Sequence, residues 1–405
     1  MNVLFLSPGY PTEMNYFARA LARTGATVFG LGDQPHGALP EAVREHVAFH
    51  LQVPDLWDEP AVEAAVRALA ARHRLDRVEC LWEPGMLLAA RLREALGLPG
   101  MTVAETLPFR DKELMKQALE AAGVRTPRHA RAASAAEVRA AAERLGFPLI
   151  VKPIAGAGSA DTYRVASAEE LDEVLPKIRH VAEVSVEEYV DGEEYTFDTI
   201  CAGGEILFAS SSWYRPKPLV GRSEEWISPQ TVTLRDLSSP GLVAGRELGL
   251  RVLAALGFRT GFTHMEWFLT PRGEAVFGEI GARPPGARSV DTMNYCCDND
   301  VYAGWAEAVV HGRLHRTFER RFNSAVIFKR ARGHGRIRRV EGWERLRSEL
   351  GAAIVGHDLL PVGAHRRDWK QTLLSDGWVF VRHPDLATLC AMADRVGSEL
   401  HLFAE

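Results

Sequence analysis

The chain has 405 residues, 46% of them hydrophobic and 25% charged, with a formal net charge of −5 at pH 7. That length and balance describe an ordered chain of two or three cores and exclude disorder. The mildly acidic sum gives no electrostatic case for nucleic acid or an anionic membrane as partner. No apolar run is long enough to span a bilayer, and no basic segment precedes the apolar start NVLFLS, so a cytoplasmic protein acting on small molecules is expected. Cys80, Cys201, Cys296, Cys297 and Cys390 lack C-x-x-C spacing, which argues against a disulfide framework or a zinc site.

In chain order, the first hundred residues alternate strand-like runs (2–7, 27–31, 78–82) with helical patterns (13–23, 60–72, 86–96), as in a parallel sheet flanked by helices. The loop PGYPTEMN after the first strand has one glycine where a dinucleotide fingerprint needs three, which argues against a dehydrogenase. Glu83, in Glu83-Pro84-Gly85, falls where open α/β sheets bind ligands and is a candidate substrate contact. A charged amphipathic helix follows between Thr106 and Gly123. Lys112 sits in its first turn, where the helix dipole disfavours a cation unless an anion is near.

Arg125-Thr126-Pro127 opens a small unit, about 126–196. Ser134 with Glu137 and Ser167 with Glu170 form two S-x-x-E capping boxes, each starting a helix. Between them, strands at 147–152 and 162–165 are joined by a loop with Gly156, Gly158 and Ser159. Its backbone N–H groups suit phosphate oxygens, and Lys152 stands at its base. Next comes Glu187-Glu188-Tyr189-Val190, bent at Asp191-Gly192. There the backbone is available to a flat heterocycle, and Glu194 is placed to accept from sugar hydroxyls. Trp213, Tyr214, Arg215, Lys217, Arg222 and Trp226 mark a polar and aromatic insertion at 211–230, expected either to face the site or to be an oligomer contact or a disordered loop.

The stretch 261–288 reads as a hairpin, its strands 262–269 and 274–281 joined by Thr270-Pro271-Arg272-Gly273. With that loop, Leu269 pairs with Glu274, His264 falls opposite Glu279, and Glu266 falls opposite Phe277. Glu266 and Glu279 then become diagonal neighbours on one face, about 7 to 8 Å apart. Two facing carboxylates call for a cation or a raised pKa, and a hard metal ion is the preferred expectation. Arg283 beside them suits phosphoryl oxygens. Arg288 either binds a substrate carboxylate or pairs with Asp291.

The order of these pieces resembles the ATP-grasp superfamily: Lys112, then Lys152 with its glycine loop, then Glu187 to Val190 and Glu194, then Glu266, and finally Glu279 with Arg283. The resemblance implies an α/β chain. Its parts would be an N-terminal Rossmann-like domain (1–105), an ATP-grasp domain (106–325) with a lid at about 126–196, and a C-terminal α+β part (326–405). It further implies that Lys112 and Lys152 hold the phosphates of ATP and that the hinge binds adenine through its backbone. Glu194 would take the ribose, Glu266 and Glu279 would bind Mg²⁺ or Mn²⁺, and Arg283 would face the transferring phosphoryl group.

Two departures stand out. Gly281 occupies a position where members often carry asparagine, and His264 one where D-alanine–D-alanine ligase relatives carry arginine. His264 is therefore the candidate oxyanion stabiliser. Within the superfamily, His264-Met265-Glu266 and Glu279 to Gly286 most resemble carboxylate–amine ligases of the L-amino acid ligase type. Amino acids are then the expected substrates, the intermediate is an acyl phosphate, and the assembly is a homodimer. The rival expectations are a biotin carboxylase-like or purine-pathway carboxylase that activates bicarbonate, and a catalytically silent ATP-binding regulator.

Overall fold

The computed structural model describes residues 1–155, 161–372 and 374–405, so the expected contacts Gly156, Gly158 and Ser159 lie outside the described residues. The chain opens with β1 (Asn2–Leu6), α1 (Met14–Arg23), β2 (Thr27–Gly32), α2 (Glu41–Arg44), β3 (Phe49–Gln52), α3 (Glu59–Ala70), β4 (Arg77–Glu79) and α4 (Met86–Leu96). The strands form a parallel sheet in the order β3-β2-β1-β4. β1 is covered on both sides, as a parallel strand requires. Val3 and Phe5 enter the core that contains Phe17 and Leu21, while Leu4 and Leu6 enter the one built on Val62 and Val66.

Next come α5 (Val103–Thr106), held by a reciprocal capping box between Thr102 and Glu105, and α6 (Lys112–Ala121). The Asp111 carboxylate caps α6 by accepting from the N–H groups of Glu113 (2.9 Å) and Leu114 (3.0 Å). A second sheet is built from β5 (His129–Ala132), β6 (Leu149–Pro153), β7 (Tyr163–Val165) and β8 (Val184–Glu188) in the order β5-β8-β6-β7, antiparallel throughout. The helices α7 (Ala135–Leu145) and α8 (Ala168–Val174) cover it. Ser134 and Ser167 cap them as expected, but Glu137 and Glu170 reach back one residue further than a capping box. They accept from the N–H of Ala133 (2.6 Å) and Ala166 (2.7 Å).

The largest sheet uses β9 (Glu193–Ala202), β10 (Glu205–Ser210), β11 (Ser212–Arg215), β12 (Gln230–Thr233), β13 (Gly261–Leu269) and β14 (Ala275–Gly281), with α9 (Pro218–Gly221) and α10 (Pro240–Ala255) between them. After α11 (Ser289–Cys297) and α12 (Val301–His311), β15 (Asn323–Lys329) rejoins it. The chain ends with β16 (Arg332–Gly333), β17 (Ile337–Glu341), α13 (Trp343–Leu350), β18 (Ile354–Leu359), β19 (Gly377–His383), α14 (Leu386–Glu399) and β20 (His401–Ala404). The order is β14-β13-β9-β11-β12-β15-β19-β18, with β10 also on β9. β15 thus carries one sheet across position 326, where the sequence suggested a boundary.

α10 lies against the back of this sheet at a distance only glycine permits. A Cβ at Gly245 would sit 2.0 Å from the Trp267 ring, and one at Gly249 would sit 2.3 Å from Phe197. Phe197, Met265, Trp267, Phe277 and Ile280 fill that face, leaving the opposite face of β9, β13 and β14 for polar chemistry. Among the described residues, no helix is long and apolar enough to cross a membrane.

Candidate active site

Side chains alternate faces along a strand, so the register decides what meets what. Across β9 and β13, Glu194 lies opposite Phe268, Thr196 opposite Glu266, and Asp198 opposite His264. All six share the face turned away from α10.

On β14 the register differs from the expected one in two ways that offset each other. The turn is one residue tighter: the Thr270 N–H donates to Glu274 O and the Gly273 N–H to Thr270 O, both at 2.9 Å, and Leu269 pairs with Ala275. That shift alone would put Glu279 beside Met265 on the apolar face. A bulge at Gly278 then restores the polar face, so that Glu266 sits directly opposite Glu279 and His264 opposite Gly281. The pairings of Glu266 with Phe277 and His264 with Glu279 do not occur. Glycine is required at the bulge because a Cβ there would lie 2.8 Å from Glu266 O.

Cations converge on the pair. Lys112 Nζ is 3.5 Å from Glu279 Oε2. Burial alone would raise the Glu279 carboxyl, but Lys112, Lys152 and Arg283 hold it down at about 2. Glu194 shows the opposite balance, pushed well above the usual carboxylate range by burial and then by Glu266 and Glu279. The Tyr214 hydroxyl donates to Glu266 Oε1 at 3.0 Å. His264 links Asp198 Oδ1 (2.6 Å from Nδ1) to Glu266 Oε1 (3.4 Å from Nε2). Burial would lower its pKa, yet Asp198 and then Glu266 raise it to about 9.

Around these groups a cleft is lined by Lys112, Lys152, Glu194, Lys217, Glu266 and Glu279, together with apolar Ile150, Val190, Leu219, Val220 and Phe268. Two carboxylates with lysines beside them suit a hard divalent ion that takes its remaining ligands from phosphate oxygens and water. Among the described residues no group of three or more His, Cys, Asp or Glu is arranged to hold a metal by itself.

The other expected residues divide. Lys152 Nζ is 3.1 Å from Glu187 Oε2, so the Glu187 side chain holds a lysine from behind. The Glu188 carboxylate accepts from Arg125 (2.6 Å) and Arg128 (2.5 Å), which leaves only its backbone for a ligand. The N–H groups of Glu188 and Tyr189 donate to Arg128 O (2.9 Å) and Pro148 O (3.1 Å). Arg283 Nε donates to Glu83 Oε2 at 2.6 Å, and Arg110 binds the other oxygen of Glu83, so two expected contacts meet each other. Arg288 is drawn off by the alternative partner: its Nε is 3.2 Å from Asp291 Oδ2, and its guanidinium lies over the rings of Trp378 (4.8 Å) and Tyr16 (5.5 Å).

Asp198 was not anticipated, although its even spacing from Glu194 along β9 was a usable signal. Nor was Arg110; Lys217, from the insertion read as facing the site or an oligomer contact, lines the cleft with its Nζ 3.3 Å from Asp191 Oδ1.

Two family models match in tandem, the ATP-grasp N-terminal domain over residues 18–100 and the ATP-grasp domain over residues 109–212. Residues 18–100 and 109–212 thus carry the sequence signature of the ATP-grasp superfamily, and the fold of the chain agrees with it. More particularly, the chain resembles L-amino acid ligases. It is 27% identical over 249 residues to the L-arginine-specific L-amino acid ligase of Bacillus subtilis, covering 60% of this chain and 59% of that protein. The crystal structure of an L-amino acid ligase from Bacillus licheniformis superposes with a TM-score of 0.80 at 21% identity, covering 100% of this chain and 98% of that one, a likeness of fold. The D-alanine–D-alanine ligase of Xylella fastidiosa (strain Temecula1) is 34% identical over 176 residues, 40% of this chain and 57% of that protein. The chain thus spans less than two thirds of these two curated relatives.

Proposed function

We propose that the protein is an ATP-dependent carboxylate–amine ligase that joins amino acids. In this reaction a carboxylate oxygen attacks the terminal phosphorus of ATP and ADP leaves; the amine nitrogen then attacks the acyl carbon, releasing phosphate and a proton. The observation that carries the reading is the bulge-set pairing of Glu266 with Glu279 on one face, with Lys112 and Lys152 closing on the same point.

In this reading Glu266 and Glu279 hold Mg²⁺, which when bound neutralises phosphate charge and polarises the phosphoryl oxygens. Lys112 and Lys152 bind phosphate oxygens. The bend at Glu188 to Val190 reads adenine through carbonyl groups and Val190, since the N–H groups of Glu188 and Tyr189 are already engaged. Glu194 accepts from the ribose. Arg283, half-buried and held cationic by Glu83 despite its desolvation, faces the charge that develops on the transferring group. His264, oriented by Asp198, donates to the oxyanion of the acyl carbon. Pre-placed donors of this kind need no reorganisation as charge moves, which is where such sites gain most of their rate. The sheet β5-β8-β6-β7 acts as the lid that keeps water from the acyl phosphate.

Incubation with ATP, Mg²⁺ and pairs of amino acids should release phosphate and give a dipeptide by mass spectrometry, and Lys152→Ala should abolish both. ADP release driven by bicarbonate without any amino acid would replace this reading with the carboxylase.

A further inference from the structure

Lys116 lies four residues after Lys112 on α6 but is absent from the cleft lining. It is fully buried, at 0% exposure, an unusual place for a lysine. Its ammonium group binds Glu187 Oε1 on β8, the same carboxylate whose Oε2 holds Lys152 Nζ at 3.1 Å. One buried anion therefore serves two cations, one facing inward and one at the cleft. The seam around it is polar as well: the Ser185 hydroxyl donates to Glu113 Oε1 (2.6 Å), and His129 Nδ1 is 2.7 Å from Glu113 Oε2.

With Lys116 present, the Glu187 charge is already met, and Lys152 remains a cation available to the cleft. Without it, the whole Glu187 charge would fall on Lys152, whose Nζ already lies 3.1 Å from Oε2, and would draw that ammonium back from the cleft. We propose that Lys116 is a positioning residue that keeps Lys152 directed at the phosphates by satisfying the other oxygen of Glu187. This rests on the nucleotide reading above. It assigns to a side chain that never touches the nucleotide part of the affinity for it.

The test is ADP affinity by titration calorimetry on the full chain, alongside thermal melting, for wild type, Lys116→Met and the double variant Lys116→Met/Glu187→Gln. Lys116→Met should weaken ADP about tenfold or more. The double variant, which has no stranded charge and frees Lys152 again, should recover to within about threefold of wild type. If Lys116→Met lowers the melting temperature but binds ADP like wild type, Lys116 is only a prop and the proposal is wrong. A double variant weaker than the single overturns it too, and the double variant decides the matter should the single fail to fold. A wild-type protein that binds no ADP would instead remove the nucleotide reading itself.

Discussion

Glu266 and Glu279 stand directly opposite one another on neighbouring strands, and they do so because Gly278 bulges out of the ladder between them and the turn. Two small departures from a regular hairpin cancel in parity but not in geometry. The result is a closer pair than diagonal placement would give.

Gly278→Ala should therefore damage the site more than its one methyl group suggests. The added Cβ would lie 2.8 Å from a backbone oxygen of Glu266, which cannot swing aside as a side chain can. We expect a stability loss of about 1–3 kcal/mol in urea melts and a fall of about tenfold or more in ADP release. Wild-type turnover in this variant would mean that the bulge does not set the proposed metal pair.

Glu279→Gln should remove one of the two proposed metal ligands while keeping the size of the side chain. Held near 2 by Lys112, Lys152 and Arg283, the wild-type carboxylate is charged at any working pH. The variant should lose about 10²-fold or more in turnover and need more Mg²⁺ to reach half its own maximum. A Mg²⁺ titration of ADP release checks both, and an unchanged midpoint would refute the assignment.

Glu187 makes a pH prediction with a definite sign. Burial opposes its charge, but Lys116 and Lys152 lower its pKa from 4.5 to about 2. Its contribution to stability is thus complete above pH 4.5 and disappears as the pH falls toward 2. The size is about 3 kcal/mol by linkage. Urea unfolding of wild type and Glu187→Gln at pH 7, 4.5 and 3 should show the gap between them narrowing on acidification. A gap that stays constant would mean that the carboxylate is not held ionised by the two lysines.

Arg288→Ala should cost stability without affecting nucleotide affinity. Its guanidinium sits between Tyr16 of α1 and Trp378 of β19 and pairs with Asp291. We expect a loss of about 1–3 kcal/mol with the ADP dissociation constant unchanged. Raised KM for a carboxylate substrate at unchanged stability would return Arg288 to a substrate role.

Much of the architecture was legible in local pattern. The helix at 86–96 has the expected limits, because its apolar spacing is regular and Gly97 stops it in the left-handed region. β3 was missed: Phe49–Gln52 is short and has no buried residue to mark it. At the site, residue types and order pointed to Lys112, Lys152, Glu266 and Glu279 without fixing their register, since a bulge depends on how a backbone packs against its neighbour. Lys116 escaped notice for a related reason. A lysine in an amphipathic helix reads as solvated, and only the tertiary fold shows that α6 turns this one toward a buried acid.

The continuity of the largest sheet through β12, β15, β19 and β18 bears on how the protein can be handled. Truncating the chain after residue 325 would strip β12 of its neighbour and lay bare the apolar side chains that α14 now covers. A raw strand margin of that kind recruits other chains, so a shortened version would be expected to precipitate rather than yield a working catalytic half.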